Sequence, residues 1–277
     1  MSSTPMSTPS ISSVSSPGTS RKGMQHFAAR PVTSSENAAP SAVGLLLMSS
    51  QWARWGEIGA VFGAAILALF LGKGLAGEGP ITSQIPVLLA NALMLFAVWL
   101  GLRVRGQRLD HFGFAFRSST WRRSLWVGGQ SILTFVAAIA AFVVGAVIMA
   151  NLMSQPQQAD MSGYNAMAGN LPLLLVSLPT VWFFASFGEE VIYRGFLVTR
   201  ISELGSWSKP WIAVAASAVL FGVAHFSWGL AGMVQTTCMG LALAVAYLVV
   251  GRNLWVTILA HGAMDTILFL QMYLQPS

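Results

Sequence analysis

Apolar runs long enough to cross a lipid bilayer recur from residue 57 to residue 274, and this constrains the chain more than any other feature. A bilayer core of ~30 Å takes about 20 helical residues at ~1.5 Å each. On that measure seven candidate spans occupy roughly 57–76, 84–104, 125–151, 171–200, 210–228, 231–250 and 254–274. Breakers separate most of them: "GLAGEGP" at 74–80, "SQPQQAD" at 154–160 and "GSWSKP" at 205–210. The fifth and sixth meet so closely at "HFSWGLAG" that a re-entrant hairpin is the alternative to two full spans. Charged residues make up 9% of the chain, against roughly 25% for a soluble domain. The expected fold is therefore all-α: a polytopic transmembrane helical bundle of about seven spans.

Residues 1–50 are rich in Ser, Thr and Pro and show no helical or strand period before about Val43. Such a segment cannot bury enough apolar area to offset its ordering entropy, so a disordered cytoplasmic tail is expected over 1–50. It is not a signal peptide, because no apolar region follows directly on a basic one. The remaining organisation is read as N-terminal transmembrane helices with a basic loop over 54–153, and a second membrane domain over 170–274.

The formal charge of +6 comes from basic residues placed on one side. With the N-terminus inside, Arg54, Arg103, Arg105, Arg108, Arg122, Arg123, Arg200 and Arg252 all fall at cytoplasmic ends, and Lys73 alone lies opposite. This is the positive-inside pattern, so the charge reports topology and no nucleic-acid partner is needed. The expected location is an integral membrane protein of a bacterial inner membrane with a cytoplasmic N-terminus. The stretch "DHFGFAFRSSTWRRS" at 110–124 reads either as an interfacial segment or as a solvated loop. The single Cys238 excludes an internal disulfide, and its apolar surroundings suit a small packing residue.

Few ionisable side chains remain inside the spans: Glu189, Glu190 and Arg194 in the fourth, His225 in the fifth, His261 and Asp265 in the seventh. A charge at mid-bilayer costs at least ~2.5–3.5 kcal/mol, so these residues are expected to share a polar interior. Glu190 and Arg194 lie four apart, the favourable order for an ion pair on one helix face. Glu189 sits ~100° around the helix and is left free for chemistry. The bland alternative is that both glutamates only neutralise Arg194. Phe221 lies one turn before His225 and can wall its imidazole. His261 and Asp265 are also one turn apart, so the carboxylate can fix the imidazole tautomer. A carboxylate and imidazoles in a wet cavity suit hydrolysis, with one taking a proton from water and another group stabilising an oxyanion. Neither HExxH nor GxSxG occurs.

Glu189-Glu190-x-x-x-Arg194, Phe221-x-x-x-His225 and His261-x-x-x-Asp265 together resemble the EExxxR, FxxxH and HxxxN/D motifs of the type II CAAX prenyl endopeptidase family. The family is also called the CPBP or Abi family of intramembrane proteases, and the resemblance covers roughly residues 170–270. It implies a helical bundle around a cavity open to the cytosol, acting on a membrane-associated protein or peptide, prenylated in eukaryotic relatives. It implies that Glu189 and His225 activate water while His261 and the residue at 265 form the oxyanion site. Glu190, Arg194 and Phe221 are then supporting residues. Position 265 is aspartate where prenyl-processing members carry asparagine. An ionised aspartate would repel an oxyanion, so Asp265 is expected either to be protonated or to act by orienting His261. No cofactor is expected. The competing expectation is a divalent metal such as zinc held by Glu189, His225 and His261. A non-catalytic membrane scaffold or bacteriocin-immunity factor of the same fold is the alternative function, and a proton-coupled carrier is a third.

Depth along the spans poses one difficulty. Counted from the cytoplasmic side, His225 lies ~22 Å into its span and His261 only ~10 Å into its own. The two can meet only where helices are tilted, offset or broken.

Overall fold

The computed structural model describes residues 38–77, 79–114, 120–153, 159–204 and 210–275. Within these, every regular element is helical. Helices α1 (Ala42–Ser49), α2 (Gln51–Gly72), α3 (Ile85–Val104) and α4 (Trp121–Leu152) precede a long α5 (Leu171–Ser202). Then come α6 (Pro210–Ala224), α7 (Gly229–Val249) and α8 (Leu254–Tyr273).

Six segments are long and apolar enough to cross a membrane, and the seventh expected span is α6, which has 15 residues. At ~1.5 Å per residue α6 is ~22 Å long and stops short of a full crossing. A 3₁₀ turn at Phe226–Trp228 ends it, and Gly229, at φ 72°, reverses the chain into α7. The closeness of this hairpin depends on Gly222: a Cβ there would stand 1.8 Å from the Thr237 hydroxyl on α7. The close turn at "HFSWGLAG" joins this short apolar helix to α7, which is itself long enough to cross.

Large apolar side chains cover the outside of the bundle. Phe70 on α2 is 72% exposed and Leu133 on α4 is also 72% exposed, which water would penalise and lipid tails would not. Small residues let the helices approach. Gly145 of α4 packs on the α7 backbone, where a Cβ would lie 2.7 Å from the Gln235 Cα.

The end of the segment expected as a disordered tail is helical, while residues 1–37 lie outside the described residues. Ser41 caps α1 by accepting from Gly44 N–H, and its own N–H donates to the Val104 carbonyl at the end of α3 (2.9 Å). The loop 110–124 also divides. Phe112 is fully buried, and its carbonyl accepts the Tyr247 hydroxyl at 2.9 Å, so this part plugs into the bundle. Trp121 and Trp126, at the start of α4, are both 69% exposed with Arg122 beside the Trp121 ring, as an interfacial segment requires. Residues 115–119 of that loop lie outside the described residues.

The basic ends gather into one ionic network. Arg105 reaches Glu57 of α2 (2.5 Å) and Glu203 just past α5 (3.3 Å). Arg200 of α5 reaches Glu203 (3.0 Å), Glu57 (3.4 Å) and Gln107 (2.9 Å). Arg54 donates to the Glu203 carbonyl. The network fastens the N-terminal helices to α5. Burial opposes the charge on Glu203, but His111, Arg200 and Arg105 outweigh it and hold the carboxyl at about 2, below its ordinary 4.5. A depressed acid stabilises the fold above its unfolded pKa and loses that contribution as pH falls toward its folded pKa. The apparent melting temperature in detergent should therefore drop as pH falls from 4.5 toward 2, and Glu203→Gln should flatten that acid limb while lowering stability at neutral pH.

A candidate active site in the bundle core

The site forms where α5 stops being an α-helix. Over Trp182–Leu197 it is π-helical, with Val198 N–H bonding back to the Tyr193 carbonyl five residues earlier. Pro179, just upstream, lacks an N–H and cannot continue the ordinary ladder. Such widened turns are uncommon and concentrate at functional sites. Both glutamates and Arg194 lie on this wide segment. Against it rests α8, at Gly262, where an added Cβ would lie 2.6 Å from the Trp182 ring. The Trp182 indole N–H donates to Thr266 one turn further along (3.0 Å), fixing α8 against α5.

At the centre is Glu190. Its Oε1 accepts from Arg194 Nη1 at 2.7 Å and from His261 Nδ1 at 2.9 Å, and both side chains of the ion pair are 0% exposed. Arg194 also donates to the Gly240 carbonyl on α7 (3.2 Å), and its guanidinium stands 4.4 Å from the centre of the Phe221 ring. Phe221 in turn needs Gly240, since a Cβ there would crowd its ring at 2.9 Å. One carboxylate thus joins α5 to α8, and one guanidinium joins α5 to α6 and α7.

This differs from the expected tautomer control at His261. Asp265 Oδ2 lies 3.7 Å from His261 Nε2, too far for a hydrogen bond, and instead accepts from Ser186 at 2.9 Å. The partner that fixes the ring is Glu190. A helical i,i+4 spacing brings His261 and Asp265 near each other, but the shorter bond comes from another helix.

Glu189 points away from this pair. Its Oε2 is buried and has no hydrogen-bond partner among the described residues, as is also true of Glu190 Oε2. Glu189 is in electrostatic contact with His261 and Asp265, so the first glutamate faces the same interior as α8. His225 lies at the end of α6. Its Nδ1 is 2.8 Å from the Phe221 carbonyl, which can only accept, so Nδ1 carries the proton and Nε2 presents its lone pair. The Phe221 ring packs against both imidazoles, 4.8 Å from the centre of His225 and 5.9 Å from that of His261. Despite the offset counted along the spans, both imidazoles reach the same Phe221 ring.

Sequence reasoning missed Ser186, Trp182, Thr266 and Gly240. Of these only Ser186 carried a usable signal, as a small hydroxyl one short turn before Glu189 and Glu190. Among the described residues no group of three or more His, Cys, Asp or Glu side chains is placed to hold an ion, and His261 keeps its Nε2 free of a hydrogen bond while Nδ1 meets Glu190.

The fold and site define a polytopic helical membrane protein with a polar centre shared by α5, α6 and α8. Residues 171–267 match the family model described as Type II CAAX prenyl endopeptidase Rce1-like. No curated protein and no solved structure matched the chain.

Removing Arg194 would leave Glu190 as an unpaired buried carboxylate. Arg194→Ala should therefore destabilise the fold by about 3–5 kcal/mol. Thermal unfolding and membrane yield should both fall, and an inactive variant with unchanged melting would contradict this assignment.

Proposed function

We propose that the protein is an intramembrane endopeptidase that hydrolyses a peptide bond of a membrane-associated, lipidated protein, with Glu189 and His225 activating the water. The observation that carries this reading is the division of labour between adjacent glutamates. Glu190 is fixed through its Oε1 by both Arg194 and His261, whereas Glu189 is bound to neither and has a buried, unpartnered Oε2.

In this mechanism Glu189 accepts a proton from water as the water oxygen bonds to the scissile carbonyl carbon. His225 Nε2, whose lone pair is free, orients the second water hydrogen. The carbonyl π electrons move onto oxygen, and the oxyanion is met by donors on the α8 side. The C–N bond then breaks, and the proton held by Glu189 passes to the leaving nitrogen, giving a carboxylic acid and an amine. Burial strengthens each of these interactions, because little water screens them. A lipidated substrate fits a site enclosed by a bundle whose outer surface already faces hydrocarbon.

Glu189→Gln and His225→Ala should each lower turnover by at least about 100-fold while insertion and melting stay near wild type. Purified variants assayed in detergent on prenylated reporter peptides decide this. Full turnover by Glu189→Gln would favour the non-catalytic scaffold or immunity reading. The proposed orientation places Arg54, Arg200 and Arg252 on the cytoplasmic side. A cysteine replacing Ser202, in a Cys238→Ala background, should be labelled from that side in intact cells; labelling only from outside would reverse the topology.

A further inference from the structure

Glu190, Trp182 and Ser186 each tie α5 to α8, and the tie from Ser186 ends on a carboxylate beside the His261 ring. Glu190 Oε1 meets His261 Nδ1 at 2.9 Å, and the Trp182 indole N–H donates to Thr266 at 3.0 Å. Ser186 is fully buried on the widened part of α5, three residues before Glu189. Its hydroxyl has one hydrogen and two acceptors in reach, Asp265 Oδ2 at 2.9 Å and the Val181 carbonyl at 3.3 Å. The carboxylate is the nearer and the stronger acceptor, so it takes the hydrogen.

Asp265 has another place to go. The same Oδ2 lies 3.7 Å from His261 Nε2. A charge-assisted bond forms at about 2.8 Å, so a movement of about 1 Å would close the gap. In a centre with little water the attraction driving that movement is strong. The Asp265 side chain is 16% exposed, which gives it room that the fully enclosed Glu190 lacks. The hydrogen bond that opposes the movement is the one from Ser186 on the facing helix.

The proposed hydrolysis asks α8 for hydrogen-bond donors to the oxyanion. His261 gives its Nδ1–H to Glu190, so the hydrogen it can offer a substrate is the one on Nε2. A carboxylate bonded to Nε2 would occupy that donor and bring a negative charge to the place where the oxyanion forms.

We infer that Ser186 is a positioning residue: its hydroxyl holds the Asp265 carboxylate toward α5 and so leaves His261 Nε2–H open to the oxygen of the scissile carbonyl. The inference rests on the peptidase reading above and gives it a residue outside the three motifs. Ser186 acts only through Asp265, and no covalent bond to it changes during turnover.

The test uses full-length protein in detergent with a panel of fluorogenic peptides, farnesylated, geranylgeranylated and unlipidated. Ser186→Ala should lower kcat about 10- to 100-fold with KM unchanged, because the donor it costs serves the transition state. Melting should match wild type, since the Glu190–His261 and Trp182–Thr266 bonds remain. In protein carrying nitrogen-15 histidine, with the His261 signals assigned by His261→Gln, the Nε2 signal should move in Ser186→Ala as Asp265 closes on it. A wild type that cuts overturns the role of Ser186 alone if Ser186→Ala cuts equally fast, changes only in KM, melts several degrees lower or leaves the Nε2 signal in place. A wild type that cuts no peptide in the panel overturns the peptidase reading, and this inference with it.

Discussion

Glu190 is the interaction on which the site depends. An arginine and a carboxylate taken out of water are costly unless each finds a near-ideal partner. Here the guanidinium finds a carboxylate, a backbone carbonyl and an aromatic face, and the carboxylate finds a guanidinium and an imidazole. These contacts come from α5, α6, α7 and α8, so the four C-terminal helices cannot shift independently without uncovering a charge. The cost of burial is thereby converted into registration of helices that lipid alone would leave free to slide.

A second ionic centre does the same work at the basic end. Glu57, Arg105, Arg200 and Glu203 bind α2 and the α3 terminus to α5. It contains none of the site residues. Its position nonetheless matters, because Arg200 closes the same helix that carries Glu189 and Glu190. The N-terminal helices, which lie outside the matched family segment, therefore fix one end of α5, and the Glu190 cluster fixes its middle.

The helical class, the spans and the Glu190–Arg194 spacing were legible because they depend on local periodicity. The short α6 was half legible, since only the closeness of "HFSWGLAG" hinted at so tight a turn between the fifth and sixth apolar segments. The partner of His261 was not. Glu190 is 71 residues away in the chain, and a nearer carboxylate at Asp265 supplied a plausible local answer. The widening of α5 was equally hidden, because an apolar run reads the same whether each turn holds an extra residue or not.

Phe221 does more than support. A benzene ring packed against both His225 and His261 carries no group able to relay a hydrogen ion. On the peptidase reading, a proton that passes from one imidazole to the other would therefore travel on the bound peptide or its attacking water.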